Sequence, residues 1–168
     1  MAQQSMADTG VRAGRDTSGI IVPDVVVRFS GAMLALAIAA VHVADQGGVT
    51  ALASPGWIGW GYRLIEVGGV LTALVLLVPR MVRLVPTWAG WAAGVLLGVG
   101  PFVAYVLSRT VGVPGDPGDV GNWGYWVGTV ALFIEAALVV LSVSMLLAHR
   151  QSAVRGASGG NRGGQAGN

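Results

Sequence analysis

Four long apolar runs leave this chain little choice of fold. Val25 to Ala44, Trp57 to Val78, Thr87 to Leu107 and Trp123 to Ala148 each reach about 20 residues or more, enough for a helix to cross a hydrocarbon core of about 30 Å. Hydrocarbon offers no hydrogen bonds, so a spanning backbone must satisfy itself internally, as helices and closed barrels do. None of the runs alternates apolar and polar residues with the period of two that a barrel strand needs. The expected fold is therefore all-α, a four-helix transmembrane bundle made of two helical hairpins, spanning residues 25–148. Composition agrees: 54% of the chain is hydrophobic and 11% charged, whereas soluble domains carry about a quarter charged residues. The flanking segments, residues 1–24 and the Gly-rich residues 149–168, have too little to bury and are expected to be disordered tails.

Arginine placement gives the chain a polarity. All ten basic residues are Arg, and eight fall on one side of the expected bundle: Arg12, Arg15, Arg28, Arg80, Arg83, Arg150, Arg155 and Arg162. Basic residues close to spanning segments are retained on the cytoplasmic side, which predicts a multi-pass protein of the plasma membrane with both tails in the cytoplasm. Arg63 and Arg109 remain near the outer face. The six Trp form pairs at i, i+3, Trp57/Trp60, Trp88/Trp91 and Trp123/Trp126, each opening a run, where an amphipathic ring suits the headgroup level. A competing reading takes Arg12 to Ala39 as a secretory signal with a small-residue site at Ala37-Ile38-Ala39. The apolar run continues past that point to Ala44, which suits an uncleaved anchor better.

Several function classes lack their residues. The chain has no cysteine, so disulfides, thiolate metal sites and cysteine nucleophiles are excluded. A formal charge of +2 with no basic patch does not suit nucleic acid. No nucleophile–base–orienter set, phosphate-binding Gly-rich loop or metal motif is present, so neither a cofactor nor a metal is expected. Asp116 and Asp119 fit consecutive turns better than a calcium loop.

Small residues mark the packing faces. Gly90, Gly94 and Gly98 repeat at i, i+4 along the third run, and Gly124, Gly128 and Ala131 do so along the fourth; Gly31, Ala35 and Ala39 form a looser stripe on the first. Such spacing lets another backbone approach closely, within the chain or in a second copy. Pro101 interrupts the third run and frees the carbonyl near Leu97.

Six ionisable residues fall within or at the edge of the spans. Glu135 lies about 18 Å into the fourth run, near the bilayer midplane, on the face of Gly128 and Ala131. Arg63 and Glu66 share a face of the second run at i, i+3. His42 continues the first run's small-residue stripe, with Asp45 three residues on, and Arg109 ends the third run within reach of Asp116, Asp119 or Glu66. His42, Asp45, Arg63, Glu66, Arg109 and Glu135 thus form a candidate polar cluster in the outer half of the bundle.

The stretch Tyr105-Val106-Leu107-Ser108-Arg109-Thr110-Val111-Gly112-Val113-Pro114-Gly115, followed by Gly121-Asn122-Trp123 and Glu135, resembles uncharacterised small membrane proteins of actinobacteria. The resemblance covers mainly the second half of the chain and implies four helices and an actinobacterial source, with no assigned activity. A shorter echo lies inside the chain, where Trp60-Gly61-Tyr62 matches Trp123-Gly124-Tyr125. The expected function is that of a small non-enzymatic binding or accessory protein in the lipid bilayer, with a membrane protein or a second copy as partner. The alternative is a proton- or cation-handling transporter or channel subunit using Glu135 and Glu66.

Because the chain lacks cysteine, single cysteines report its orientation without background. Asp116→Cys is expected to react with a membrane-impermeant maleimide from outside and Arg83→Cys only after the membrane is opened. Labelling of position 83 from outside would reverse the orientation.

Overall fold

A computed structural model describes residues 24–48, 56–78 and 85–160. The expected N-terminal tail up to residue 23, residues 161–168 and the arginines at 12, 15, 80, 83 and 162 lie outside the described residues. Four helices make up the fold: α1 (Asp24–Asp45), α2 (Gly56–Leu77), α3 (Thr87–Thr110) and α4 (Trp126–Gly160), with a short 3-10 turn at Pro117–Asp119 before α4. Each contains a stretch long and apolar enough to cross a membrane, namely Asp24–Asp45, Gly56–Leu77, Trp88–Thr110 and Trp126–Arg155. This is the architecture of a multi-pass membrane protein.

Two boundaries differ from the sequence reading. The last helix begins at Trp126 rather than Trp123, because residues 111–125 fold as a turn-rich connection with positive φ at Gly112, Gly115 and Gly121. It also runs beyond Ala148 to Gly160, through the first part of the segment read as disordered. No proline interrupts this stretch, and Arg150, Gln151, Ala153 and Arg155 are good helix formers that extend an already nucleated helix at little cost.

The helices run antiparallel in the ring order α1, α2, α3, α4. Contacts are most extensive between α1 and α2 and between α3 and α4, and α1–α4 and α2–α3 contacts close the ring. The two hairpins expected from the sequence are thus the main packing units. Small residues set their spacing. A Cβ on Gly69 of α2 would lie 2.7 Å from the Ala35 carbonyl oxygen of α1 and 2.9 Å from the Ala39 methyl. On α3, a Cβ on Gly98 would lie 2.8 Å from the Glu135 carbonyl oxygen of α4 and 2.6 Å from Val139. Gly90 faces Val75 and Leu76 of α2, and Gly94 faces Leu138 and Ser142 of α4. The glycine stripe of α3 is therefore consumed inside the chain by two neighbours. Gly128 does the same for the ring of Tyr105. Gly124 does not, since it precedes α4 and its position opens onto empty space; its expected packing role is not realised.

The core is a stack of Ala32, Ala35, Ile38, Ala73, Leu76, Trp91, Leu97 and Leu138. Trp91 is fully buried, so it is a core residue rather than a headgroup anchor: its ring lies over Gly31, where a Cβ would come within 2.8 Å of it. The other five Trp are exposed, as are Leu64, Leu71, Leu96 and Phe133, which gives the bundle the apolar outer surface that lipid requires.

Because the Glu135 carbonyl cannot move without disturbing α4, Gly98→Ala is expected to lower the melting temperature in detergent by an amount corresponding to about 1–3 kcal/mol. Gly100→Ala, where a Cβ meets open space, is expected to leave it unchanged or raise it by up to about 1 kcal/mol. Equal effects of the two would show that close α3–α4 approach does not limit stability.

Candidate functional site

The packing stripes carry the buried polar residues to one end of the bundle. On α4 the buried positions Gly128, Ala131, Glu135, Leu138 and Ser142 follow the helical repeat. On α1 the series Gly31, Ala35, Ile38 and His42 does the same. Where α1 and α4 meet, His42 Nε2 stands 3.8 Å from Glu135 Oε1, an ion-pair separation too long for a hydrogen bond. The other ring nitrogen, Nδ1, is 2.9 Å from the Ile38 carbonyl oxygen. A carbonyl only accepts, so Nδ1 carries the hydrogen and Nε2 is the nitrogen presented to Glu135. Glu135 itself is 2% exposed and its Oε2 has no hydrogen-bond partner among the described residues.

Asp45 ends α1 and ties three elements together. Tyr62 of α2 donates to its Oδ2 at 2.7 Å, and Tyr125, just before α4, donates to its Oδ1 in a short hydrogen bond. Both phenols belong to the repeated Trp-Gly-Tyr triplets, so the internal echo was the available signal for them, and two like segments converge on one carboxylate. The hydrogen bond to Asp45, followed by burial, pushes the Tyr125 phenol from about 10 up to about 12.

Arg109 closes the opposite wall. It is 5% exposed, forms an ion pair with Asp119 and lies over the Tyr105 ring at 4.6 Å from its centroid, with the Tyr125 ring at 6.0 Å. Of the partners open to it in the sequence, Asp119 is the one it takes. The connection before α4 is pinned to α2 as well, because Trp57 Nε1 donates to the Pro114 carbonyl at 3.1 Å.

Between these walls lies a cavity of about 180 Å³. His42, Asp45, Arg109 and Glu135 line it, together with Trp57, Tyr62, Tyr105, Tyr125, Asp116 and Asp119. Pro101 and Ser108 contribute from α3. Of the six polar residues singled out from the sequence, four share this space. Arg63 and Glu66 do not line it: Glu66 accepts from Arg63 at 2.5 Å through Oε2 and from Gln46 at 2.8 Å through Oε1. This network ties α1 to α2 beside the cavity. Gln46 and Tyr105 are the remaining partners the sequence did not mark, since a loop glutamine and a lipid-depth tyrosine carry no local signature. Among the described residues no cluster of three or more His, Asp or Glu is arranged to hold a metal ion.

Comparisons with protein-family models, with characterised proteins and with solved structures found no match.

Tyr125 becomes the sole tyrosine of the chain, which has three, in a Tyr62→Phe/Tyr105→Phe background. There its phenolate absorbance is expected to rise only near pH 12, and Asp45→Asn is expected to move that rise toward pH 10. The folded phenol titrates above an unfolded one, so the stability from this contact is complete below about pH 10 and lost as pH climbs through about 12. An unchanged titration in Asp45→Asn would remove Asp45 as the cause.

Proposed function

We propose that this chain is a multi-pass protein of the plasma membrane, with both ends in the cytoplasm, that binds a small ligand in a pocket open to the outer side without transforming it. The observation that carries the reading is the contrast within the pocket. Its rim is locked by Asp45 with two tyrosines and by Arg109 with Asp119, while Glu135 at depth keeps an oxygen without a partner. A buried carboxylate in a membrane is costly and marks a functional position. An apolar pocket with a few convergent polar groups is the usual form of a small-ligand site. The connection before α4, held over the pocket by Trp57 and Arg109, faces the outside if the arginine-rich ends of the helices lie in the cytoplasm.

A second reading, in which the bundle handles protons, rests on one observation. His42 Nε2 and Glu135 Oε1 face each other at 3.8 Å, close enough for a proton to pass between them through a bridging water. Glu66, the other residue assigned to such a path, has both oxygens engaged by Arg63 and Gln46.

The binding reading is tested by melting the protein in lipid nanodiscs against a library of small polar molecules. A ligand at a hundred times its Kd is expected to stabilise by about 2.7 kcal/mol, and Ala131→Phe, which fills the cavity, is expected to abolish the shift. Absence of any shift, or equal shifts in both proteins, would sink it. Proton flux into liposomes tests the second reading: background flux for both wild type and Glu135→Gln would exclude it.

A further inference from the structure

The charge and ring content of the pocket define its ligand more narrowly. We infer that the pocket takes a small organic ammonium ion bearing N–H groups, its charged head at Glu135 Oε2 and its body among the aromatic rings. This rests on the binding reading above and names the class of ligand.

Three independent features point the same way. The first is charge balance: Asp45, Asp116, Asp119 and Glu135 line the cavity against a single guanidinium, Arg109. Asp119 is matched by Arg109, which leaves three carboxylates facing one small low-dielectric space with His42 beside the deepest of them. Such walls focus a negative potential and draw in cations.

The second is unsatisfied hydrogen-bonding capacity. Glu135 Oε2 and the Tyr105 hydroxyl are both buried and both without a partner among the described residues. Of the buried, unpartnered side-chain atoms that line the cavity, these two are the ones able to accept a hydrogen bond, and since buried polar groups are nearly always paired in a finished structure, they are where a ligand's donors would end. A carboxylate only accepts when ionised, and a hydroxyl accepts as readily as it donates. A group with several N–H donors and a positive charge suits both, whereas an anion is repelled by the carboxylate and a quaternary ammonium lacks the hydrogens.

The third is aromatic lining. Trp57, Tyr62, Tyr105 and Tyr125 surround the space, and ring faces attract cations. The fold already uses this device, since the Arg109 guanidinium sits 4.6 Å above the Tyr105 ring. The volume of about 180 Å³ is below the roughly 300–1,000 Å³ of pockets for drug-sized ligands, which limits the guest to a compact amine.

An ammonium group can come from a free amine or from the headgroup of phosphatidylethanolamine, and the test separates them. Full-length protein in phosphatidylglycerol nanodiscs, which supply no ammonium, is titrated calorimetrically with benzylamine, benzyl alcohol and benzoate at neutral pH. These share one ring and differ in charge. Benzylamine is expected to bind, and the alcohol and the acid to bind at least about tenfold more weakly, because a buried charge pair or its loss is worth that much. Glu135→Gln, close in shape to the native side chain, is expected to weaken benzylamine by about tenfold or more without lowering the melting temperature of the empty protein. Tyr105→Phe, a milder change at the second orphan group, is expected to weaken it several-fold. If a lipid headgroup is an occupant, adding phosphatidylethanolamine to the nanodiscs reduces the apparent affinity for benzylamine; if the guest is a free amine, it does not.

Preferred binding of the alcohol or the acid, abolished by Ala131→Phe, would overturn the ammonium assignment and leave the binding pocket standing. Benzylamine binding unchanged in both Glu135→Gln and Tyr105→Phe would overturn it too. No binding of any of the three would also overturn the ligand class, with the library melting experiment deciding the pocket separately.

Discussion

Close approach of helix backbones is the constraint from which the rest of this molecule follows. In lipid, apolar side chains gain little by leaving the solvent for one another, so association depends on van der Waals contact and on polar groups that find partners across helices. Gly69 seats α2 against the Ala35 carbonyl of α1, and Gly98 seats α3 against the Glu135 carbonyl of α4. These two contacts define the hairpins. They also place the polar residues, because the approach that brings Ala35 to Gly69 carries Asp45 and Gln46 onto Tyr62 and Glu66. The approach that brings Gly98 to Glu135 holds the backbone of Glu135 at the level of Pro101, where the cavity begins.

The same constraint explains why a cavity exists at one end and a dense core at the other. Toward the ends of α2 and α4 that lie away from the α3–α4 connection, small residues alternate with Leu76, Trp91 and Leu138, which fill the gaps between them. Toward that connection the facing residues are Trp57, Tyr62, Tyr105 and Tyr125. The Tyr62 and Tyr125 hydroxyls are directed to the Asp45 carboxylate and the Trp57 indole N–H to the Pro114 carbonyl at the rim. The helices are thus tied together at the rim by hydrogen bonds while space remains beneath it.

Polar groups divide into two sets of different character. Glu66 with Arg63 and Gln46, and Asp45 with Tyr62 and Tyr125, are pairs and networks in which each carboxylate oxygen has a donor. They cross between helices and hold them in register. Glu135 lacks such closure, with one oxygen 3.8 Å from His42 and the other without a partner. A burial this incomplete works against stability, and departures of that kind concentrate where a protein does something other than fold.

Much of this was readable from residue order. Length and hydropathy of the four runs dictated four spanning helices, since hydrocarbon admits no other open-chain solution, and the spacing of Gly90, Gly94 and Gly98 dictated which face of α3 is packed. The i, i+3 relation made Arg63 and Glu66 neighbours before any fold was known, and the repeated Trp-Gly-Tyr marked Tyr62 and Tyr125 as equivalent. Position in a helix does not say what lies across from it. That Trp91 is core and not interface, that Gly124 packs against nothing, and that Glu66 is closed off while Glu135 is open were decided only when four helices met. The reason is physical: helical periodicity determines which side chains share a face, but distance and hydrogen-bond geometry between faces depend on how closely each pair of backbones can approach.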